Sequence, residues 1–194
     1  MTINDIQPEL SEALSIVTRQ LNQAGPNWLL GGSCGLLLQG VTLDRPPRDM
    51  DVYADAEGIG KLHDVLSDHT LDKPAVDEEE MYLSIRGHYE VNEIPLELIG
   101  GFKIRVGGSV YTTEIDNLLY PAAPATVING HSVHLMPLAH ELVFNVLRDR
   151  PDRYLAISES IRLQPEAHRG ILERMMGSYT FHAGHVALIR ELTS

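Results

Sequence analysis

Trp28-Leu29-Leu30-Gly31-Gly32-Ser33 and, further on, Arg45-Pro46-Pro47-Arg48-Asp49-Met50-Asp51-Val52 are the stretches that decide the fold. An apolar strand runs into a sharp Gly-Gly-Ser turn, and Cys34 to Gln39 follow as a short apolar helix. Glycine has no Cβ, so the backbone of such a turn can approach a polyphosphate closely. The N–H groups that open the following helix then face the phosphates, and the Ser33 hydroxyl adds a donor. Asp49 to Ala54 alternate as a strand does, with Met50, Val52 and Ala54 on one face and Asp49, Asp51 and Tyr53 on the other. Two carboxylates on one strand face are hard oxygen ligands that suit Mg²⁺, which leaves its other positions to water and substrate phosphates. An isolated Asp-x-Asp in an acidic chain is more often solvated surface, and glycine pairs are common turn markers. The weight lies in the order of the parts.

Upstream, Leu10, Leu14, Ile16, Val17 and Leu21 give residues 8–23 the spacing of an amphipathic helix, ended by Ala24-Gly25-Pro26. Downstream, Gly40 to Pro47 form a loop, Glu57 to Leu66 a helix, and the acidic, proline-containing Asp68 to Glu80 a surface loop. Met81 to Tyr111 are β-rich, with strands Ile94–Ile99 and Lys103–Val106 parted by Gly100-Gly101 and a further turn at Gly107-Gly108. His131 to Met136 are one more strand. After Pro137 the pattern is helical, with Leu138, Leu142, Val143, Val146 and Leu147 in register and Pro151 and Pro165 as punctuation. These spans divide the chain into a β-rich part, residues 1–136, and a helical part, residues 137–194, packed on it.

Ile94-Pro95-Leu96-Glu97-Leu98-Ile99 carries a single acidic residue within an apolar strand. A charge there is costly unless it is paired or binds a metal. Pro95 points to an edge strand or a bulge. The Gly-Gly-Ser turn, the arginine-containing loop, Asp49-Met50-Asp51 and Glu97 together resemble the signature of the nucleotidyltransferase superfamily, in particular the lincosamide and aminoglycoside nucleotidyltransferases and the abortive-infection toxin nucleotidyltransferases. The resemblance covers residues 26–106. It implies an α+β minimal nucleotidyltransferase fold, a mixed β-sheet flanked by helices, with a helical C-terminal part. It also implies transfer of an NMP group from an NTP to a hydroxyl acceptor (a small molecule, a protein side chain or an RNA end, with the acidic balance of the chain favouring a small molecule over RNA), with Mg²⁺ or Mn²⁺ as cofactor. Asp49, Asp51 and Glu97 would be the catalytic and metal-binding residues. Gly31, Gly32, Ser33, Arg48 and Arg148 would bind the nucleotide, and Glu97 would orient or deprotonate the acceptor. Many members have Asp where Glu97 stands.

Alternatives stay open at several positions. Glu97 can pair with Lys103 or Arg105, and Arg48 with a neighbouring carboxylate. Arg148 can be a solvated arginine favoured at a helix C-terminus, and Glu141 a base that the sequence does not locate. His182 with His185, and His131 with His134, have ligand-like spacing, but surface or half-buried histidines are the better account. Cys34 belongs to an apolar helix and is core rather than nucleophile.

The 194 residues suffice for one sizeable core. A formal net charge of -12 repels phosphate backbones and argues against an extended nucleic-acid footprint. A metal-held nucleotide stays compatible, because the cation brings its own charge. One cysteine excludes an internal disulfide. Met1 to Gln23 lack a signal-peptide pattern and no apolar run is long enough to span a bilayer, so a cytoplasmic enzyme without a membrane partner is expected. Two other functions fit the same residues: a non-catalytic nucleotide-binding or toxin-like module on this fold, and an Asp-x-Asp glycosyltransferase, although the latter places a large nucleotide-binding half before its acidic motif. The oligomeric state is not encoded in any of these signals.

Overall fold

Helix α1 spans Pro8–Leu21 and begins on a proline, whose missing N–H is no loss in a first turn. Its stripe of Leu10, Ala13, Leu14, Val17 and Leu21 is buried against one face of the sheet. The computed structural model describes residues 6–194; residues 1–5, which the sequence reading includes in the N-terminal part, lie outside the described residues.

Strand β1 (Leu29–Gly31) leads directly into helix α2 (Gly32–Leu38). Gly32 and Ser33 thus form the first turn of α2, where the sequence predicted a separate turn before a helix at Cys34. Strand β2 (Met50–Ala54) runs antiparallel to β1 and parallel to the long strand β5 (Ile94–Val106). A parallel pair needs a crossover, and helix α3 (Ile59–Leu66) supplies it after a single 3₁₀ turn at Ala56–Gly58. Strand β4 (Tyr82–Val91) pairs antiparallel with β5, and β3 (Ala75–Glu78) pairs with β4 at the outer edge. The sheet order is β1-β2-β5-β4-β3, and β6 (Ser109–Thr112) pairs with the far half of β5.

Three expectations are corrected here. The segment Asp68 to Glu80 is not all loop, because Ala75–Glu78 pair with β4. Gly100-Gly101 does not end a strand; β5 continues through it. A Cβ on Gly100 would lie 2.2 Å from Ile59 Cγ1, so the glycine marks the place where α3 crosses closely over the strand. Pro95 is not on an edge strand, since β5 is central. The proline stands opposite Glu90 of β4 but one residue before the β2 register begins at Leu96, so on the β2 side no strand asks for its N–H.

A second, two-stranded ribbon, β7 (Ala125–Ile128) and β8 (His131–His134), turns through Asn129-Gly130, both at positive φ. The chain then enters helix α4 (Leu138–Leu147), all ten of whose residues are buried. Helices α5 (Pro151–Leu163), α6 (Pro165–Ser178) and α7 (Ala183–Thr193) pack around it, and Pro151 and Pro165 start their helices. The sheet lies between two apolar clusters. Met50, Val52, Leu96 and Leu98 face α1 and α3, whereas Tyr53, Ile99, Phe102 and Ile104 face α4 and the helices beyond it. No helix among the described residues is long and apolar enough to cross a membrane.

Candidate active site

The two-residue period of β2 sends Asp51 and Tyr53 to the α4 side of the sheet. The parallel register sets Asp51 directly beside Glu97, and the antiparallel register on the far side sets His88 beside Glu97. Asp51, Glu97 and Arg86 therefore share one face across three adjacent strands. Asp49 stands just before β2, exposed, with its carbonyl accepting the Cys34 thiol at 3.0 Å. Cys34 is buried, and burial pushes its thiol far up, in keeping with a core role.

These groups line an open cleft of about 390 Å³. Gly32, Ser33, Asp49, Asp51 and Glu97 occupy its sheet side. Its other wall comes from α4, the turn after it and the start of α5, with Glu141, Asn145, Arg148, Arg150 and Arg153. Tyr82, Phe102 and Phe144 form an aromatic flank, with the Phe102 and Phe144 rings edge to face at 5.3 Å.

Burial pushes the Asp51 carboxyl up to about 7, and the charges of Asp49 and then Glu97 add to the rise against the pull of Arg148 and Arg86. Glu97 is not paired with Lys103 or Arg105. The basic side chains nearest to it are Arg86 and His88, each at 3.9 Å, while Arg86 also lies 3.4 Å from Asp77 and His88 is bonded to Asp72 at 2.7 Å. Arg86 Nε is buried without a hydrogen-bond partner among the described residues.

Arg148 stacks its guanidinium over Phe144, 4.8 Å from the ring centroid, and so faces the cleft instead of trailing into solvent. Arg153 donates to Ser33 Oγ at 3.1 Å, and Arg150 is held in a two-pronged bond to Asp152 at 2.9 and 2.7 Å. Arg48 is exposed and does not line the cleft, so this sequence-predicted nucleotide ligand stands apart from the rest. Gly31 is buried behind the turn: a Cβ there would lie 2.8 Å from the Tyr53 ring and 3.1 Å from Glu141 Oε1. The histidine pairs lie elsewhere. His182 caps α7 by accepting from Gly184, and His185 is bonded to Ser109 Oγ at 2.7 Å. Among the described residues no three His, Cys, Asp or Glu side chains, Asp49, Asp51 and Glu97 included, are grouped so that they could together hold a metal ion.

Sequence reasoning named Glu141 only as a base without a place, did not see Asn145, and missed Arg86, Arg150 and Arg153 as cleft residues. A signal for the first two was present. In Leu138-Ala139-His140-Glu141-Leu142-Val143-Phe144-Asn145-Val146-Leu147, Glu141 and Asn145 lie four apart and Arg148 follows three later, a polar stripe on a helix otherwise nearly all apolar. Arg86 had no comparable signal, since its place depends on the register of β4 against β5.

A family model described as aminoglycoside-2''-adenylyltransferase matches residues 13–145, a span that holds Gly31, Gly32, Ser33, Asp49, Asp51, Glu97 and Glu141 but ends before the three wall arginines. No curated protein sequence matches the chain. Among solved structures, a Thermotoga maritima protein described as a candidate nucleotidyltransferase superposes with a TM-score of 0.58 at 20% identity, covering 87% of this chain and 96% of that one. ANT(2'')-Ia in complex with adenylyl-2''-tobramycin superposes with a TM-score of 0.51 at 14% identity, over 86% of this chain and 97% of that one. A solution structure of ANT(2'')-Ia gives a TM-score of 0.53 at 13% identity, over 93% and 95% of the two chains. At such identities these likenesses concern the fold: the mixed sheet flanked by helices is the nucleotidyltransferase architecture.

Proposed function

Because the chain belongs to the aminoglycoside-2''-adenylyltransferase family, we propose that it transfers a nucleoside monophosphate, AMP in the first instance, from a nucleoside triphosphate to a hydroxyl of a small molecule. The observation that carries this reading is the β2–β5 register, which sets Asp51 beside Glu97 opposite a wall bearing Arg148 and Arg153.

Asp49 and Asp51 are the proposed ligands of a divalent cation, Mg²⁺ or Mn²⁺. The donor set fits. The carboxylates are hard oxygen ligands, the charge crowding that raises Asp51 is relieved by a cation, and Mg²⁺ is ordinarily held by one or two carboxylates plus substrate phosphates instead of a closed protein cage. When bound, the cation supplies neutralisation of charge at the attacked phosphate and the departing pyrophosphate.

The remaining work falls to the chain's own groups. Ser33, Arg148 and Arg153 bind the triphosphate and hold its α-phosphorus in line with the acceptor. Glu97, on the neighbouring strand, removes the proton of the acceptor hydroxyl as its oxygen bonds to the α-phosphorus. The bond from that phosphorus to the bridging oxygen breaks, and pyrophosphate leaves towards the arginines. Tyr82, Phe102 and Arg86 bound the acceptor side, and the 1–136 and 137–194 parts act as one unit because the cleft draws on both. As in phosphoryl transfer generally, positioning and electrostatics provide most of the acceleration.

The test is incubation with ATP, Mg²⁺ and a panel of polyhydroxylated small molecules, with pyrophosphate release and product mass as readouts. Product is expected, and the double change Asp49→Ala/Asp51→Ala should abolish it. Pyrophosphate release that survives the double change would remove the site from the reaction. Tight Mg-ATP binding with no turnover on any acceptor would instead favour a non-catalytic nucleotide-binding module.

A further inference from the structure

Glu141 is 3% exposed, sits in the first turn of a wholly buried helix and has no part in the reaction described above. A carboxyl so placed needs a partner, and it has one at the nucleotide turn: Oε1 accepts the Gly32 N–H at 2.9 Å. Asn145 supports it from the next turn of α4, its amide donating to the Glu141 carbonyl at 2.8 Å and lying 3.5 Å from Oε2.

The turn has no slack on either side. Gly32 stands at φ +57°, and a Cβ on it would lie 1.8 Å from Asp51 Oδ2. A Cβ on Gly31 would press on Tyr53 and on Glu141 Oε1. Asp51 thus bounds the turn from the sheet and Glu141 bounds it from α4.

We propose that Glu141 is a positioning residue that pins the Gly31-Gly32-Ser33 turn in the shape that receives a triphosphate, through its hydrogen bond to the Gly32 N–H and not through its charge. The inference rests on the nucleotide reading of the cleft. It removes Gly32 N–H from the donors offered to phosphate and leaves Ser33, with Arg153 bonded to its hydroxyl, as the anchor on the turn. It also separates Glu141 from Glu97: the first shapes the floor, the second meets the acceptor.

Three variants of the full chain separate contact from charge. Glu141→Gln keeps an oxygen at the Gly32 N–H and removes the charge. Glu141→Asp keeps the charge and withdraws the oxygen by one methylene. Glu141→Ala removes both. Dissociation constants for Mg-ATP by calorimetry, and amide hydrogen exchange across residues 31–33, are the readouts. Glu141→Gln is expected to bind within about threefold of the unaltered protein, while Glu141→Asp and Glu141→Ala weaken binding about tenfold or more, as expected when a buried N–H loses its acceptor. Exchange at Gly32 should accelerate in the Asp and Ala variants alone. The reverse ranking, with Asp tolerated and Gln not, overturns the proposal in favour of a role for charge, and so does equal binding by all four proteins. The Gln and Asp comparison stands even if the Ala variant does not fold. No Mg-ATP binding by the unaltered protein overturns the underlying nucleotide reading itself, an outcome distinct from a wrong ranking of variants.

Discussion

The two faces of the sheet are built from the same strands to opposite ends. Towards α1 and α3, Met50, Val52, Leu96 and Leu98 are fully covered and meet only apolar neighbours and one thiol. One residue away in the same strands, Asp51 and Glu97 face α4 across a cleft that also holds Glu141 and four arginines. The first face lowers the free energy of the fold in the ordinary way, by removing apolar surface from water. The second gathers carboxylates, Glu141 buried and Asp51 and Glu97 half-buried, and burial pushes the carboxyls of Asp51 and Glu141 up against the pull of the neighbouring arginines. The sheet holds that second face in place because the first is complete.

The division can be broken most forcibly from the cleft side. Glu97→Gln should lower kcat by about 10²- to 10⁴-fold, the range for loss of a general base. It should scarcely move the melting temperature, because the contacts of Glu97 to Arg86 and His88 are 3.9 Å long and half-exposed. Steady-state kinetics beside thermal melting checks both halves, and a variant with full turnover would exclude Glu97 as the base. On the opposite face the effects exchange places. Leu98 is fully buried, so Leu98→Ala should destabilise the protein by about 2–5 kcal/mol in urea titrations and leave kcat per folded molecule nearly unchanged.

The smallest effect is the most diagnostic of crowded charge. Burial, with the charges of Asp49 and Glu97, pushes the Asp51 carboxyl in the folded state up to about 7 from an ordinary 3.8. Between those values the folded state holds a proton that the unfolded state has lost, so stability falls as pH rises through the window. Asp51→Asn has no charge to bury. The full shift corresponds to about 4 kcal/mol, which solvent screening of the half-buried carboxyl reduces; with chelator present, Asp51→Asn should therefore melt roughly 2–8 °C above the unaltered protein at pH 8, equivalent to about 1–2 kcal/mol, and lose that advantage below about pH 4. A constant difference across pH would mean that Asp51 is not the source.

What the amino-acid sequence discloses follows how local each signal is. The Asp49-Met50-Asp51 alternation and the turn at Gly31-Gly32 depend on neighbours along the chain, so both are legible. Glu97 is legible because a lone carboxylate in an apolar strand is anomalous. The four-residue strand β3 is hidden because two of its residues, Asp77 and Glu78, are charged and the strand is mostly exposed, as an edge strand can be. Arg86, Arg150 and Arg153 reach the cleft through strand register and helix packing across long separations, which no window of sequence contains.

Gly32 and Asp51 lie far apart along the chain, yet one cannot acquire a single methyl group without striking the other. The two positions therefore form one heritable unit. A lineage that keeps the aspartate is bound to the glycine. A lineage in which the glycine becomes alanine has room for it only once the aspartate has been shortened, and even then a Cβ at φ +57° carries backbone strain. In descendants of this fold that have abandoned the chemistry, decay at these two sites should come in pairs, and a surviving glycine beside an intact aspartate is a mark of continued use.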